Sequence, residues 1–379
     1  MNDTVPELAP RPGQRDNRLG MIEVGRAIAA LAVVLFHVDT IVHAHVPHAP
    51  SLPLLILGER GVDFFFVLSG FIITFVHASD IGRPEQTRRF VIKRLVRIYP
   101  LLWLIAGANV ALNMAIDHEI YPFMKLWTSF TLWPTLDWPS PAAAWTLRHE
   151  MLFYTFFAIV IVSRRIGFAL AGAALAATLW QTGSLLSGRS MPGLAAMLLS
   201  PLNLQFATGC LVAWAFRRFD GRHGAACLIA GLAATGVCAV VWPWFGLLSR
   251  HALDYQNAPD AVFELAFAVI FGLVVYGLAD ASRRVRVPAI LLLLGAASYA
   301  IYLVHAPVMG LSGRFLVKLV PASLLALGAG QVILAMTAVL AGVATHLAYE
   351  KPIGRWLGRR LLPSPARAPR DAALAGSAT

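Results

Sequence analysis

Ten apolar segments, each close to the length of a membrane-spanning helix, dominate this sequence. Such a helix needs about 20 consecutive, mostly apolar residues. Only 13% of the 379 residues are charged and 58% are hydrophobic, a balance that argues against a soluble enzyme, a disordered chain or a fibrous protein. The sequence therefore predicts an all-α, polytopic membrane protein. The ten predicted spans are 24–43, 61–78, 98–117, 147–163, 166–183, 194–216, 225–247, 261–280, 289–311 and 323–348.

The distribution of basic residues predicts the orientation of the chain. With a crossing at every predicted span, 24 of the 31 Lys and Arg residues fall on one side of the membrane and seven on the other. Basic loops concentrate on the cytoplasmic side, so both termini are predicted to be cytoplasmic. The same loops account for the net charge of +11, and we expect no nucleic-acid partner.

One membrane domain is predicted, with a tail at each end. Residues 1–20 and 361–379 are polar and rich in proline, which predicts disordered cytoplasmic tails around a transmembrane domain at 21–360. The aromatic segment 118–146 predicts an interfacial helix. The three cysteines show no paired spacing, and the HAHVPH run of the first outer loop favours a solvated loop, so no metal site is predicted.

Ionisable residues inside the spans are the functional candidates, because they are costly in a membrane. His37 follows Arg26 by eleven residues, which places the two on one face of the first helix and about 16 Å apart. Asp63 and Glu150 open the second and fourth spans on the outer side, and His305 lies in the outer half of the ninth. These side chains are predicted to share a depth in the membrane.

An imidazole near carboxylates predicts general base chemistry. His37 is the predicted base, and Asp63 or Glu150 would orient or charge-balance its ring. A second set of polar side chains at this depth either binds substrate or ties the helices together by hydrogen bonds. That set consists of Asn109, Asn113, Ser298 and Tyr302.

A basic run precedes the third span on the inner side and ends in KRLVRIYP. Arg94 and Arg97 share a helix face, as do Lys93 and Arg97. Such a run anchors topology, and its guanidinium groups also suit the binding of phosphate. Charge alone does not separate the two roles.

Five motifs in this order resemble those of the acyltransferase family three of integral membrane proteins. They are RAIAALAVVLFH, GVDFFFVLSGFIITF, KRLVRIYPLLW, WTLRHEMLFY and SYAIYLVH, and the resemblance runs from about Ile22 to Trp356. It implies O-acyl transfer, commonly of acetyl, from acyl-coenzyme A to a carbohydrate hydroxyl of a bacterial surface polysaccharide or glycolipid. It also implies a location in the bacterial inner membrane. The family's Arg–His pair falls on Arg26 and His37, and its RxxR motif on Arg94 and Arg97.

The resulting assignment has three groups of residues, with acyl-coenzyme A as a donor substrate and no permanently bound cofactor. Direct transfer and a covalent acyl-histidine intermediate are both open, as is the oligomeric state. The predicted catalytic residues are Arg26, His37, Asp63 and Glu150; the donor site is Lys93, Arg94, Arg97 and Tyr99; the acceptor site is Asn113, Trp145, Tyr302 and His305.

Two other functions are compatible with parts of this pattern. Buried His, Asp and Glu residues also form proton relays, so a proton-coupled transporter of a glycan or small molecule is the first alternative. Transporters often show internal repeats, and we find no clear repeat between the halves. A non-enzymatic anchor in a polysaccharide-export complex is the second, and it leaves the placement of Arg26 and His37 unexplained.

Overall fold

The computed structural model describes residues 19–45, 53–189, 191, 193–241, 258–319 and 328–362, and these ranges contain helices and no strand. Short 3₁₀ turns flank two of the helices, and a π-helical turn, His346–Glu350, joins the last two. The helices are α1 Gly20–His45, α2 Gly61–His77, α3 Pro84–Asp117, α4 Phe123–Thr131, α5 Trp145–Val162, α6 Arg164–Leu186, α7 Leu194–Leu198, α8 Leu202–Phe219, α9 Gly224–Val241, α10 Ala258–Ala281, α11 Ala289–Leu319, α12 Ala329–Thr345 and α13 Lys351–Leu361.

Ten helical segments in the described ranges are long and apolar enough to cross a membrane. Each overlaps one of the ten predicted spans, which confirms the prediction of an all-α, multi-pass membrane protein. The cytoplasmic position of both termini stays a prediction. Most of the two predicted tails lies outside the described residues, as does the end of the HAHVPH run.

Helix α3 is the element that departs most from its predicted span. It begins at Pro84, not at residue 98, and runs for 34 residues. Proline suits the first turn of a helix, where its missing N–H group has no partner to lose. The added turns bury Phe90 and expose Arg88 and Arg89, so they form an amphipathic extension. As a result, the arginines of the KRLVRIYP run lie on a continuous helix.

Helix α1 lies at the centre of the bundle. It packs against α2, α10, α11 and α12, and Ala30, Val33 and Val34 are at most 1% exposed. Because the helix continues unbroken from Gly20 to His45, Arg26 and His37 occupy the predicted single face of it.

Helices α2 and α8 cross closely at two glycines. A Cβ atom on Gly209 would lie 2.0 Å from the carbonyl oxygen of Val67, and one on Gly70 would lie 2.2 Å from that of Phe206. Small residues at helix crossings in membranes allow the backbones to approach in this way. The crossing fixes α2, which carries Asp63 and Ser69, against α8.

Replacing Gly209 by alanine should therefore destabilise the protein, because a methyl group has no room at the crossing. Overpacking of this kind costs about 1–3 kcal/mol, which we expect to appear as a lower midpoint of thermal unfolding in lipid nanodiscs. Gly172→Ala on α6 is the matched control, since its Cβ meets nothing within 4 Å. Equal midpoints for the two variants would contradict the tight crossing.

The predicted interfacial segment contains the short helix α4. Its Phe123, Met124 and Trp127 side chains are exposed, as expected for aromatic and apolar groups at a membrane boundary. The segment after α4 is held by Arg148, which is only 1% exposed and whose guanidinium donates to the carbonyl oxygens of Thr135 and Asp137. Arg148 is therefore part of the packed interior and not of a solvated loop.

Candidate active site

A cavity of about 380 Å³ lies among α1, α2, α3, α5, α11 and the π-helical turn. Its volume falls in the range of about 300–1,000 Å³ that is usual for small-molecule sites. One end is basic and the other carries hydroxyl groups. Its polar lining consists of Glu23, Arg26, Ser69, Arg94, Arg97, Thr146, Glu150, Tyr154, Ser298, Tyr299, Tyr302 and His346.

Two of the three arginines at the basic end are already paired with carboxylates. Arg26 donates to both oxygens of Glu23, at 3.0 and 3.1 Å. Arg97 is ion-paired with Glu350, and the other carboxylate oxygen of Glu350 lies 2.7 Å from Nδ1 of His346. Glu350 and His346 both belong to the π-helical turn. Such turns are frequent at functional sites.

Arg94 differs from its two neighbours. Its guanidinium lies over the rings of Tyr154, at 5.6 Å, and Phe90, at 5.7 Å. Within the described ranges it has no carboxylate partner, and its buried Nε atom donates no hydrogen bond. A guanidinium has five donors and no acceptor, so Arg94 has donors available for an anion that enters the cavity.

A carboxylate flanked by hydroxyl groups occupies the middle of the cavity. Glu150 accepts hydrogen bonds from the hydroxyl of Tyr154 and from Oγ of Ser69, the latter at 3.2 Å. Oγ of Ser298 is buried and makes no hydrogen bond to a described residue. Glu150 thus contacts Ser69 and Tyr154, and the predicted role of Asp63 or Glu150 in orienting or charge-balancing His37 stays a prediction.

The far end of the cavity leads to the two predicted imidazoles. Thr146 donates to the hydroxyl of Tyr302 at 3.2 Å. The ring of Tyr302 lies 5.7 Å from that of His305, and the rings of His305 and His37 lie 4.8 Å apart at 62°. His37 does not itself line the cavity. His305 does not line it either, so Tyr302 is the cavity residue that lies beside the imidazole pair.

Both imidazoles have their Nδ1 atom fixed by a backbone carbonyl. Nδ1 of His37 lies 2.9 Å from the carbonyl oxygen of Val33, and Nδ1 of His305 contacts that of Tyr302. Because a carbonyl oxygen only accepts, Nδ1 carries the proton in each ring and Nε2 of the neutral ring keeps a lone pair. Each ring thus presents Nε2 as a base, and Nε2 of His305 is buried without a hydrogen bond to a described residue.

Asp63 lies completely buried at the start of α2. It accepts a hydrogen bond from the amide of Gln205 and lies 3.7 Å from Nη1 of Arg60. The Arg60 guanidinium lies over the rings of Phe263 and Phe267, at 5.8 and 5.5 Å. These contacts join α2, α8 and α10, and the role of Asp63 beside His37 stays a prediction.

The structure does not bring Lys93 or Tyr99 to the cavity lining. Tyr99 donates its hydroxyl hydrogen to the carbonyl oxygen of Thr131 at 2.8 Å, and its ring packs against Trp103. Their predicted place in a donor site is therefore not supported by a contact with the cavity.

The remaining predicted acceptor residues occupy different places. Trp145 is buried and packs its ring edge-on against Phe66, with centroids 6.4 Å apart. Asn113 lines a separate groove together with Asn109. Of the predicted site residues, the cavity brings together Arg26, Arg94, Arg97, Glu150 and Tyr302.

Several cavity residues were missed from the sequence. Tyr154 follows Glu150 by four residues and His346 precedes Glu350 by four, a spacing that places each pair on one helix face. The four-residue spacing in the sequence could therefore have identified both pairs. Ser69 lies in the VLSGF part of the GVDFFFVLSGFIITF motif. Nothing in the neighbouring sequence indicates that it faces Glu150 on another helix.

Comparisons with known proteins identify relatives of this chain. A family model described as an acyltransferase domain matches residues 20–346. The exopolysaccharide production protein ExoZ of Rhizobium meliloti (strain 1021) is 28% identical over 326 residues, which cover 79% of this chain and 90% of that protein. The acyltransferase MdmB of Streptomyces mycarofaciens is 30% identical over 348 residues, covering 82% and 84%. No solved structure matches.

Proposed function

The chain belongs to the acyltransferase family whose model matches residues 20–346, and from this premise we propose its reaction. It moves an acyl group, most simply acetyl, from acyl-coenzyme A to a carbohydrate hydroxyl of a surface polysaccharide or glycolipid at the bacterial inner membrane. One observation carries the proposal: a single cavity connects Arg94 and Arg97 to Tyr302, whose neighbour His305 touches His37. The exopolysaccharide name of one relative supports a glycan acceptor.

The basic end of the cavity suits the donor. Coenzyme A carries several phosphate groups, and guanidinium groups bind phosphate through paired, charge-assisted hydrogen bonds. Arg94 is the primary anchor, because no described carboxylate competes for it. Arg97 would exchange Glu350 for a donor phosphate.

The acyl transfer itself takes place at the other end. The thioester arm extends past Glu150 towards Tyr302 and Thr146. Nε2 of His37 accepts the proton of the acceptor hydroxyl as its oxygen attacks the thioester carbonyl carbon. The new C–O bond forms, the C–S bond breaks, and the departing thiolate takes the proton back from the imidazolium.

The hydroxyl of Tyr302 stabilises the intermediate. Negative charge develops on the carbonyl oxygen during the attack, and donors placed around it lower the barrier. The hydroxyl of Tyr302, which accepts a hydrogen bond from Thr146 and whose ring lies 5.7 Å from that of His305, is the donor that we assign to this role. Removal of water from this end would protect the thioester from hydrolysis.

The test uses the full chain in lipid nanodiscs and in cells. Radiolabelled acetyl-coenzyme A should bind saturably and be displaced by free coenzyme A. Deletion of the gene should remove an O-acyl group from the surface glycans, as read by mass spectrometry, and restoring the gene should return it. If the protein were a transporter, acetyl-coenzyme A would not bind specifically and deletion of the gene would not remove the O-acyl group. Absence of donor binding together with unchanged glycans would refute the proposal.

A further inference from the structure

A second cavity of about 240 Å³ lies between α3, α11 and the segment that precedes α5. We call it the outer groove. From Asn109 to Asp117 it follows α3 for about 12 Å. Its residues on α3 include Asn109, Asn113 and Asp117, and those on α11 include Pro307, Gly310 and Arg314.

Two asparagines are fixed in the groove by hydrogen bonds that leave their acceptors available. The amide nitrogen of Asn109 donates to Oγ of Ser140 and that of Asn113 donates to the hydroxyl of Tyr121, both at 2.8 Å. Their amide oxygens accept no hydrogen bond from a described residue. Four residues apart, the two oxygens lie on one face of α3 and can accept from neighbouring hydroxyl groups of a ligand.

The mouth of the groove carries a balanced pair of charges. Arg314 donates to both carboxylate oxygens of Asp117, each at 2.7 Å, and both side chains are exposed. A guanidinium already neutralised in this way is a poor site for a free anion. Hydroxyl groups, which both donate and accept, suit such a pair better.

One end of the groove lies beside Tyr302, a residue of the donor cavity. Ala306 lines the groove and follows Tyr302 by four residues on α11, so the two lie on one face of that helix. Arg97 lies twelve residues before Asn109 on α3, which is about 18 Å along the helix. The groove therefore approaches Tyr302 from the side away from the arginines.

We propose that the outer groove binds a single sugar ring of the acceptor and directs one of its hydroxyls towards Tyr302, which lies beside the imidazole pair; this rests on the proposed function. The asparagine oxygens and the Asp117–Arg314 pair bind the ring hydroxyls, and Leu112 and Leu311 contact its C–H faces. The groove is smaller than the roughly 300 Å³ at which drug-sized pockets begin, so it has room for one sugar ring at a time.

Gly310→Phe tests the groove, and Gly313→Phe is its matched control. Both glycines lie on α11 and a Cβ atom on either meets nothing within 4 Å, but only Gly310 lines the groove. In cells that lack the native gene, Gly310→Phe should lower the O-acyl content of surface glycans at least tenfold, and Gly313→Phe should stay within twofold of wild type. Asn113→Ala, which removes one acceptor oxygen, should give an intermediate loss. Acetyl-coenzyme A should bind all four proteins, wild type included, with equal affinity.

The outcomes separate this inference from the proposed function. Normal glycan acylation by Gly310→Phe would overturn the groove as an acceptor site and leave the enzyme reaction standing. A parallel loss of acetyl-coenzyme A binding in Gly310→Phe would also overturn it, because the groove would then act through the donor cavity. A wild-type protein that acylates no glycan would refute the proposed function, and the acceptor groove with it.

Discussion

Replacing His37 by alanine is expected to lower acyl transfer by about 10²–10⁴-fold, the usual contribution of a general base. Nδ1 of His37 is committed to the carbonyl oxygen of Val33, so Nε2 is the nitrogen that takes the proton. Acetyl-coenzyme A binding should be unchanged, because His37 does not line the donor cavity. Both quantities are measured on the purified protein in nanodiscs, with transfer followed by release of the coenzyme A thiol in the presence of acceptor glycan.

His43→Ala is the matched control for this experiment. His43 also lies on α1, and its Nδ1 atom also contacts a carbonyl oxygen four residues earlier, but it has no place in the proposed reaction. It should transfer at the wild-type rate. His305→Ala should be impaired as well, since the ring of His305 positions that of His37. Full activity of His37→Ala would exclude His37 as the base.

Replacing Arg94 by alanine should weaken acetyl-coenzyme A binding by about 10- to 100-fold, since hydrogen bonds to charged groups contribute about 1.5–3 kcal/mol. Arg97→Ala should have a smaller effect, because Glu350 already neutralises Arg97 before the donor binds. Arg94→Lys keeps the charge and loses the paired donors, so an intermediate affinity is expected. Equilibrium binding of radiolabelled acetyl-coenzyme A measures all three.

Arg89→Ala provides the control for charge alone. Arg89 lies on the same amphipathic extension of α3, is exposed and does not line the cavity. Its removal should leave donor affinity near the wild-type value. If Arg94→Ala and Arg89→Ala bound the donor equally well, Arg94 would not be the phosphate anchor.

The spans were predictable because their length and apolar composition are local properties of the sequence. The same criterion missed the start of α3, since Arg88, Arg89 and Lys93 interrupt the apolar window that defines a span. Packing of Phe90 into the interior stabilises those turns, and that contact depends on other helices. The periodicity of a helix did predict that Arg94 and Arg97 lie together.

The site was predictable only within single helices. The common face of Arg26 and His37 follows from α1 alone, whereas the contact between His37 and His305 depends on how α1 packs against α11. Gly295 permits that packing, since a Cβ there would lie 2.3 Å from the carbonyl oxygen of Glu23. Tyr99 does not share the face of Arg97, because two residues beyond Arg97 is about 200° around the helix.

The cavity and the outer groove come near each other on α11, where Tyr302 lines the first and Ala306 lines the second, and this has an electrical consequence. A water-filled path through both would let ions cross and dissipate the membrane potential. Moving one elementary charge across a potential of 100 mV is worth about 2.3 kcal/mol. In the proposed reaction Tyr302, Thr146 and the ring of His305 would also have to keep water from connecting the two spaces. Replacing Tyr302 by a small residue would then let ions leak across the membrane as well as slow the reaction.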